Sequence, residues 1–180
     1  MLQNMKKITY SAVFEFHDNY RKFSAEELSL FGLAHHACLQ AYAPYSQFQV
    51  GAAVLLQNGL MYAGNNQENA AYPSGLCAER VALFYASAIH PNVPVTALAI
   101  TINYGNTVFD SVVAPCGACR QVAAEYEQKF NQNIRVYLLG RNEKVLVIPS
   151  VKTLLPLLFS GDVLKNFGTR PGSDAPSSSG

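Results

Sequence analysis

Charge is scarce in this sequence. Charged residues make up 14% of its 180 positions, against roughly 25% in an average soluble domain. Thirteen basic residues stand against twelve acidic ones, for a formal charge of +1, and no block of five or more Lys and Arg occurs. Polyanion binding relies on dense positive charge that displaces counterions. A dedicated DNA or RNA binder is therefore disfavoured, and no nucleic acid polymer is expected as a partner. Long hydrophobic runs are also missing. None approaches the roughly 20 residues needed to cross a bilayer, so no membrane partner is expected. The opening MLQNMKKITYSAVFEF has neither a long apolar stretch nor a clear cleavage site, which argues against a signal peptide. Four cysteines are too few for a secreted disulfide framework, and a cytoplasmic, reducing location is the expectation. No internal repeat is found.

What the chain does have is apolar: 49% of it is hydrophobic. That excludes disorder over most of the length. A chain of this size buries roughly 70% of the surface its unfolded form exposes and needs no staples. Such low charge also leads us to expect some surface covered by further copies of the chain.

Residues 1–23 show no clean period and are assigned to an N-terminal arm. Ser24-Ala25-Glu26-Glu27 is a capping box that opens a helix, and Pro44 bounds it. Val50–Leu56 suits a buried strand. Asn58-Gly59 is a hairpin signal, with Leu60–Gly64 as the antiparallel partner. Pro73-Ser74-Gly75 breaks the chain before a helix from Cys77 to His90. Val95–Ile102 is a further strand, and Pro115-Cys116-Gly117 opens a helix from Ala118 to about Phe130. Ile134–Leu139 and Val145–Ile148 are two strands joined by too short a link for a parallel crossover, so they should be antiparallel. Val151–Phe159 suits a short helix interrupted by Pro156. The small polar residues 168–180 are expected to form a flexible tail. The fold class is α/β: one three-layer α-β-α domain over residues 24–167, with a mixed five-stranded sheet.

Three of the four cysteines fall at the mouths of two expected helices: Cys77 at one, Cys116 and Cys119 at the other. Free N–H groups and the dipole at a helix N-terminus favour thiolates. Two such mouths brought together would offer three thiolates to one cation. Zinc accepts sulfur in a tetrahedral set, and a catalytic zinc keeps one position for water. Glu79 lies two residues after Cys77, where its carboxylate can stand near the metal without ligating it. Zinc lowers the pKa of a bound water from about 16 to about 7, and a neighbouring carboxylate can take that proton and deliver it to a leaving group. Cys-Ala-Glu with Pro-Cys-x-x-Cys is thus the layout of a hydrolytic site.

These segments, Cys77-Ala78-Glu79-Arg80 and Pro115-Cys116-Gly117-Ala118-Cys119-Arg120-Gln121, resemble the paired motifs of the cytidine deaminases. The likeness extends to Tyr42-Ala43-Pro44-Tyr45-Ser46-x-Phe48-x-Val50-Gly51-Ala52-Ala53, to Asn66-x-Glu68-Asn69-Ala70-x-Tyr72-Pro73 and to Leu154-Leu155-Pro156-x-x-Phe159. It spans roughly residues 24–164 and is strongest to the small, homotetrameric, three-cysteine branch. It implies one Zn²⁺ per subunit on Cys77, Cys116 and Cys119, and hydrolytic deamination of cytidine and 2′-deoxycytidine to the uridines, with ammonia released. By the same resemblance Glu79 protonates N3 and shuttles the proton to the departing amine. Asn66 and Glu68 bind the ribose 3′-hydroxyl, Phe48 and Ala78 belong to the substrate pocket, and Phe159 reaches it from a neighbouring subunit. Arg80 would donate to the thiolates and draw electron density from a metal that three sulfurs would otherwise make too electron-rich.

Gln67, Asn65 and Ala71 depart from the usual pattern of the family, which bears on substrate preference more than on reaction type. Cys38, on the apolar first helix, is expected in the core. His35, His36, His17 and His90 carry no motif and are expected to pack or cap. Arg120 and Gln121 are expected to support the cysteine loop. Two other functions share these features: deamination of a cytosine nucleoside antibiotic of the blasticidin type, and a non-catalytic zinc-folded interaction module. Asn66-x-Glu68, which suits a ribose, favours the nucleoside over the antibiotic.

Overall fold

The structure, a computed structural model, describes residues 5–103, 105, 112–162 and 164. The tail expected over 168–180 lies outside them. Six strands form one sheet: β1 (Glu15–His17), β2 (Val50–Leu56), β3 (Met61–Asn65), β4 (Val95–Ile102), β5 (Arg135–Leu139) and β6 (Val145–Ile148). Their spatial order is β1-β6-β5-β4-β2-β3. Only β4 and β5 run parallel, and the remaining pairs are antiparallel. Helix α1 (Ala25–Leu39) covers one face; α2 (Ala78–Ile89) and α3 (Gly117–Phe130) cover the other.

The expected three layers are present, and so is the antiparallel final pair. The five-stranded expectation is corrected to six, because Glu15–His17 of the arm pairs with Val145–Val147 of β6. This edge strand carries no period that burial would impose: Glu15 and Phe16 are exposed. It is held by the ladder and by an Arg135–Glu15 ion pair at 3.5 Å. The helix expected over Val151–Phe159 is also corrected. Only a 3-10 turn forms, Val151–Leu154; Pro156 follows, and Leu157 at φ 56° lies in the left-handed region that ends helical geometry.

Both sheet faces are buried, which is why the strands are apolar runs rather than alternating ones. Ala52, Val54, Leu98, Ile100, Val136 and Leu138 face α2 and α3. Ala53, Leu55, Ala97, Ala99 and Tyr137 meet Leu30, Phe31 and Ala34 of α1. Each fully buried Leu or Val contributes about 1.5–3 kcal/mol.

Helix α1 begins at the expected capping box. The Glu27 amide donates to Ser24 Oγ at 3.2 Å, and the Ser24 amide donates to the Glu27 carboxylate at 2.8 Å. On the opposite face, Gly64 of β3 sets the position of α2. A Cβ there would lie 2.5 Å from the Ala82 nitrogen and 2.8 Å from the Ala78 carbonyl. Helix backbone and strand therefore touch directly, and this contact fixes where the first turn of α2, with Cys77 and Glu79, stands over the sheet.

Candidate active site

Cys77 is the N-cap residue of α2 and Cys116 the N-cap residue of α3; Cys119 lies in the first turn of α3. The two helix mouths meet. Cys77 Sγ is 3.8 Å from Cys116 Sγ, Cys116 Sγ is 3.5 Å from Cys119 Sγ, and all three sulfurs lie within 4.8 Å of one another. Tetrahedral ligands about 2.3 Å from zinc sit about 3.8 Å apart. The spacing and chemistry of this donor set therefore fit zinc. Among the described residues this is the only cluster of metal-ligating side chains that close. His35 and His36 are not part of it; they are exposed on α1 rather than packed. His90 instead shares a 2.5 Å hydrogen bond with Tyr62 Oη, His17 sits edge-on to Phe23, and Cys38 is fully buried in the α1 core.

The electrostatics of the cluster follow from its partners. Hydrogen bonding from Cys119 is the main force drawing the Cys77 thiol down to about 5; burial opposes it, and the Arg80 guanidinium assists. The same bond and burial push the Cys119 thiol up. Arg80 Nη2 donates to Cys77 Sγ at 3.7 Å, while its buried Nε has no hydrogen-bond partner. Glu79 is only 4% exposed. Burial raises its carboxyl, the Cys77 thiolate adds to the rise, and its own backbone amide and the Cys119 thiol counteract it in part.

Above this corner opens a cavity of about 780 Å³. Cys77, Ala78, Glu79, Arg80 and Cys116 line its floor, and Phe48, Asn66, Glu68 and Tyr72 line its wall. Phe159 is not among its lining residues. It is 60% exposed, and its carbonyl accepts from Gln121 Nε2 at 3.0 Å. Arg120 joins Pro115 to the same C-terminal segment, donating to the Pro115 carbonyl at 2.8 Å and the Leu154 carbonyl at 3.0 Å. Both residues thus brace the cysteine loop.

The wall is a web of side chains bonded to backbone. Asn66 accepts from the Val50 amide and donates to the Phe48 carbonyl, both at 2.8 Å. Glu68 accepts from the Tyr45 amide at 2.8 Å, from the Ser46 amide at 3.3 Å and from the Ser46 hydroxyl. The Ser46 bond is the largest influence holding the Glu68 carboxyl below its ordinary value. Gln67 and Asn65, which depart from the family pattern, are partnered: Gln67 Nε2 donates to Asn65 Oδ1 at 2.5 Å, and Asn65 Nδ2 to the Ala37 carbonyl at 3.0 Å. The Gln67 backbone exchanges two bonds with Leu76, beside Cys77, so wall and floor are tied together. Sequence reasoning passed over Ser46, although it stands inside the Tyr45-Ser46-x-Phe48 motif. It also missed Glu127, which resembles an ordinary helix-surface acid in the run Glu125-Tyr126-Glu127-Gln128-Lys129.

Thiolates gathered by two helix mouths beside a sequestered carboxylate define a zinc-dependent hydrolytic enzyme class. Comparison with known proteins narrows this. Residues 25–131 match the family described as cytidine and deoxycytidylate deaminase zinc-binding region. A cytidine deaminase of Sporosarcina psychrophila is 42% identical over 126 residues, covering 69% of this chain and 85% of the relative. One from Halalkalibacterium halodurans is 41% identical over 122 residues, 68% and 85%. The crystal structure of the Burkholderia pseudomallei cytidine deaminase superposes with a TM-score of 0.64 at 39% identity, covering 73% of this chain and 98% of that one. The chain belongs to the cytidine and deoxycytidylate deaminase family.

Proposed function

We propose that this protein is a zinc-dependent deaminase of free cytidine and 2′-deoxycytidine that serves pyrimidine salvage. The observation that carries the reading is the buried Glu79 beside three convergent sulfurs at the floor of the cavity. Cys77, Cys116 and Cys119 would hold one Zn²⁺. When bound, the metal supplies a Lewis acid that makes water nucleophilic near neutral pH.

The protein's own part follows from the residues. Glu79, held where water is largely excluded, takes one proton of the attacking water and passes it to N3 of the base, where it stays in the product. It then carries the second proton, from the new hydroxyl at C4, to the departing amine. The overall balance is cytidine plus water to uridine plus ammonia. Arg80 donates to Cys77 and offsets the excess negative charge of three thiolates. Phe48 and Ala78 pack at the pyrimidine, and Asn66 and Glu68 take the sugar 3′-hydroxyl. Charge supports a nucleoside over a polymer: among the described residues, the lining includes Glu68 and Glu79 but a single cation, Arg80.

The catalytic unit is assigned to residues 24–167, with 1–23 as an arm and 168–180 as a tail. The working assembly is a homotetramer in the cytoplasm. In support, Phe159 stands exposed outside its own cavity, Phe84, Tyr85 and Ile89 are exposed together on α2, and a thiolate trio persists best in a reducing compartment. Sedimentation of the purified protein tests the assembly.

The decisive assay follows loss of cytosine absorbance with purified, zinc-loaded protein, in parallel on cytidine, deoxycytidine, a blasticidin-type antibiotic and a cytosine-bearing oligonucleotide. Turnover of the two nucleosides is expected. Turnover of the antibiotic alone, or zinc binding without any turnover, overturns the reading in favour of the other two functions.

A further inference from the structure

We propose that Ser46 is a positioning residue that couples recognition of the sugar to packing against the base. The inference rests on the proposed function, with Glu68 at the sugar and Phe48 at the pyrimidine. Ser46 joins these two through one atom: its hydroxyl gives its hydrogen to the Glu68 carboxylate and accepts the Phe48 amide at 3.0 Å. The chain is shaped for this. Gln47, between Ser46 and Phe48, takes φ 57°, a left-handed conformation uncommon for a residue with a side chain, and this turns the Phe48 amide back toward the hydroxyl.

Acceptor arithmetic gives the coupling its direction. A carboxylate offers about four acceptor directions. Glu68 fills three of them from its own chain, with the Tyr45 amide, the Ser46 amide and the Ser46 hydroxyl. One direction is left for an incoming sugar hydroxyl. A ligand that supplies it locks the carboxylate and, through Ser46, the peptide that carries Phe48. Asn66 holds the other side of that peptide through the Phe48 carbonyl, so the Phe48 backbone is fixed from both ends once the sugar is in place. A cytosine ligand without the hydroxyl leaves the Ser46 link under no tension, and Phe48 is then less well placed.

The test compares cytidine with 3′-deoxycytidine on the wild-type chain, Ser46→Ala, Ser46→Gly and Ser46→Thr. Removing the sugar hydroxyl should raise KM about thirtyfold in the wild type, a charged hydrogen bond plus the coupling. In Ser46→Ala the same removal should raise KM only about threefold, while KM for cytidine itself rises about tenfold and kcat moves less than threefold. Ser46→Gly repeats the measurement should the alanine variant not fold. Ser46→Thr, which keeps the hydroxyl, should retain the wild-type ratio. An equal rise in KM for both substrates would mark a structural disturbance and overturn the inference, as would no change in either or an alanine-like threonine variant. A wild-type protein inert toward cytidine overturns the proposed function itself, and this inference with it; the wild-type arm alone reveals that.

Discussion

The helical layer over the sheet holds a buried carboxylate at each end, and the two ends treat it in opposite ways. At the mouth end, Glu79 in the first turn of α2 is 4% exposed. Its carboxyl is raised by burial and by the Cys77 thiolate, and its own amide, the Cys119 thiol and the Arg80 charge counter them only in part. At the far end, Glu127 in the last turn of α3 is fully buried yet saturated. It accepts from the Ile134 amide at 2.7 Å, the Val151 amide at 2.8 Å, the Ser150 hydroxyl at 2.9 Å and the Lys152 amide at 3.2 Å. Burial alone does not make an acid catalytic. An under-partnered acid facing a cavity is poised to exchange a proton, whereas a fully partnered one becomes a bracket, here fastening the end of α3 to the start of β5 and to the 150–154 turn.

The comparison breaks most severely if the metal corner is not what separates the two ends. Cys116→Ala should bring bound zinc from one per chain to near none and abolish turnover, because two thiolates cannot complete the set. Elemental analysis and the absorbance assay check this; a variant that keeps a full complement of zinc would remove Cys116 from the ligands. Glu79→Gln should keep fold and zinc but lose about 10²–10⁴-fold in kcat, the usual worth of a positioned proton carrier. A loss under tenfold would put the proton elsewhere.

Glu127→Ala sharpens the contrast from the other side. It leaves buried amide and hydroxyl donors without an acceptor, at a cost of about 3–5 kcal/mol, which corresponds to a Tm lower by about 10 °C in a domain this size. Its kcat at 25 °C, per folded molecule, should stay within about threefold, as the residue does not line the cavity. A hundredfold fall in kcat with unchanged Tm would erase the distinction between bracket and catalyst.

What the sequence revealed divides along the same line. The mouth end was legible because its chemistry requires particular residues at fixed spacing: Cys77 and Glu79, Cys116 and Cys119. The strands β2, β4, β5 and β6 were legible as apolar runs, and Asn58-Gly59 marked the hairpin that implied β3. Glu127 was hidden because three of its four partners, Ile134, Val151 and Lys152, offer backbone amides that leave no side-chain signature, and the fourth, the Ser150 hydroxyl, carries no motif. Strand β1 was hidden because an edge strand of three residues buries little and imposes no alternation. The segment 151–159 misled because its apolar residues suit a helix, while Pro156 and the left-handed Leu157 decide otherwise. The wall of the cavity lay in between: Asn66 and Glu68 stood out by resemblance, but their bonds to Phe48, Val50, Tyr45 and Ser46 are visible only once the loops are brought together.

The smallest effect concerns a third carboxylate, Glu27, which lies on the α1 face and is neither catalytic nor fully buried. Burial tends to raise its carboxyl, but hydrogen bonds from Tyr137 Oη at 2.6 Å and from Ser24 together outweigh it, so the folded value lies below the usual 4.5. The sign follows from the direction. A carboxyl depressed by folding contributes stability that is complete above its unfolded value and is lost as the pH falls through the folded one. Tyr137 is buried, but Ser24 is exposed and Glu27 itself only half-buried, and solvent screening keeps the contribution to about 0.5–1 kcal/mol, typical of a helix cap. Between pH 5 and pH 3 the urea midpoint of the wild-type chain should therefore fall more steeply than that of Glu27→Gln, whose amide cannot ionise. The two proteins should differ most in stability above pH 5 and converge toward pH 3. Parallel curves across that interval would mean that the Tyr137 and Ser24 bonds do not favour the ionised form, and the ordering of the three acids by partnering rather than by depth of burial would lose its middle case.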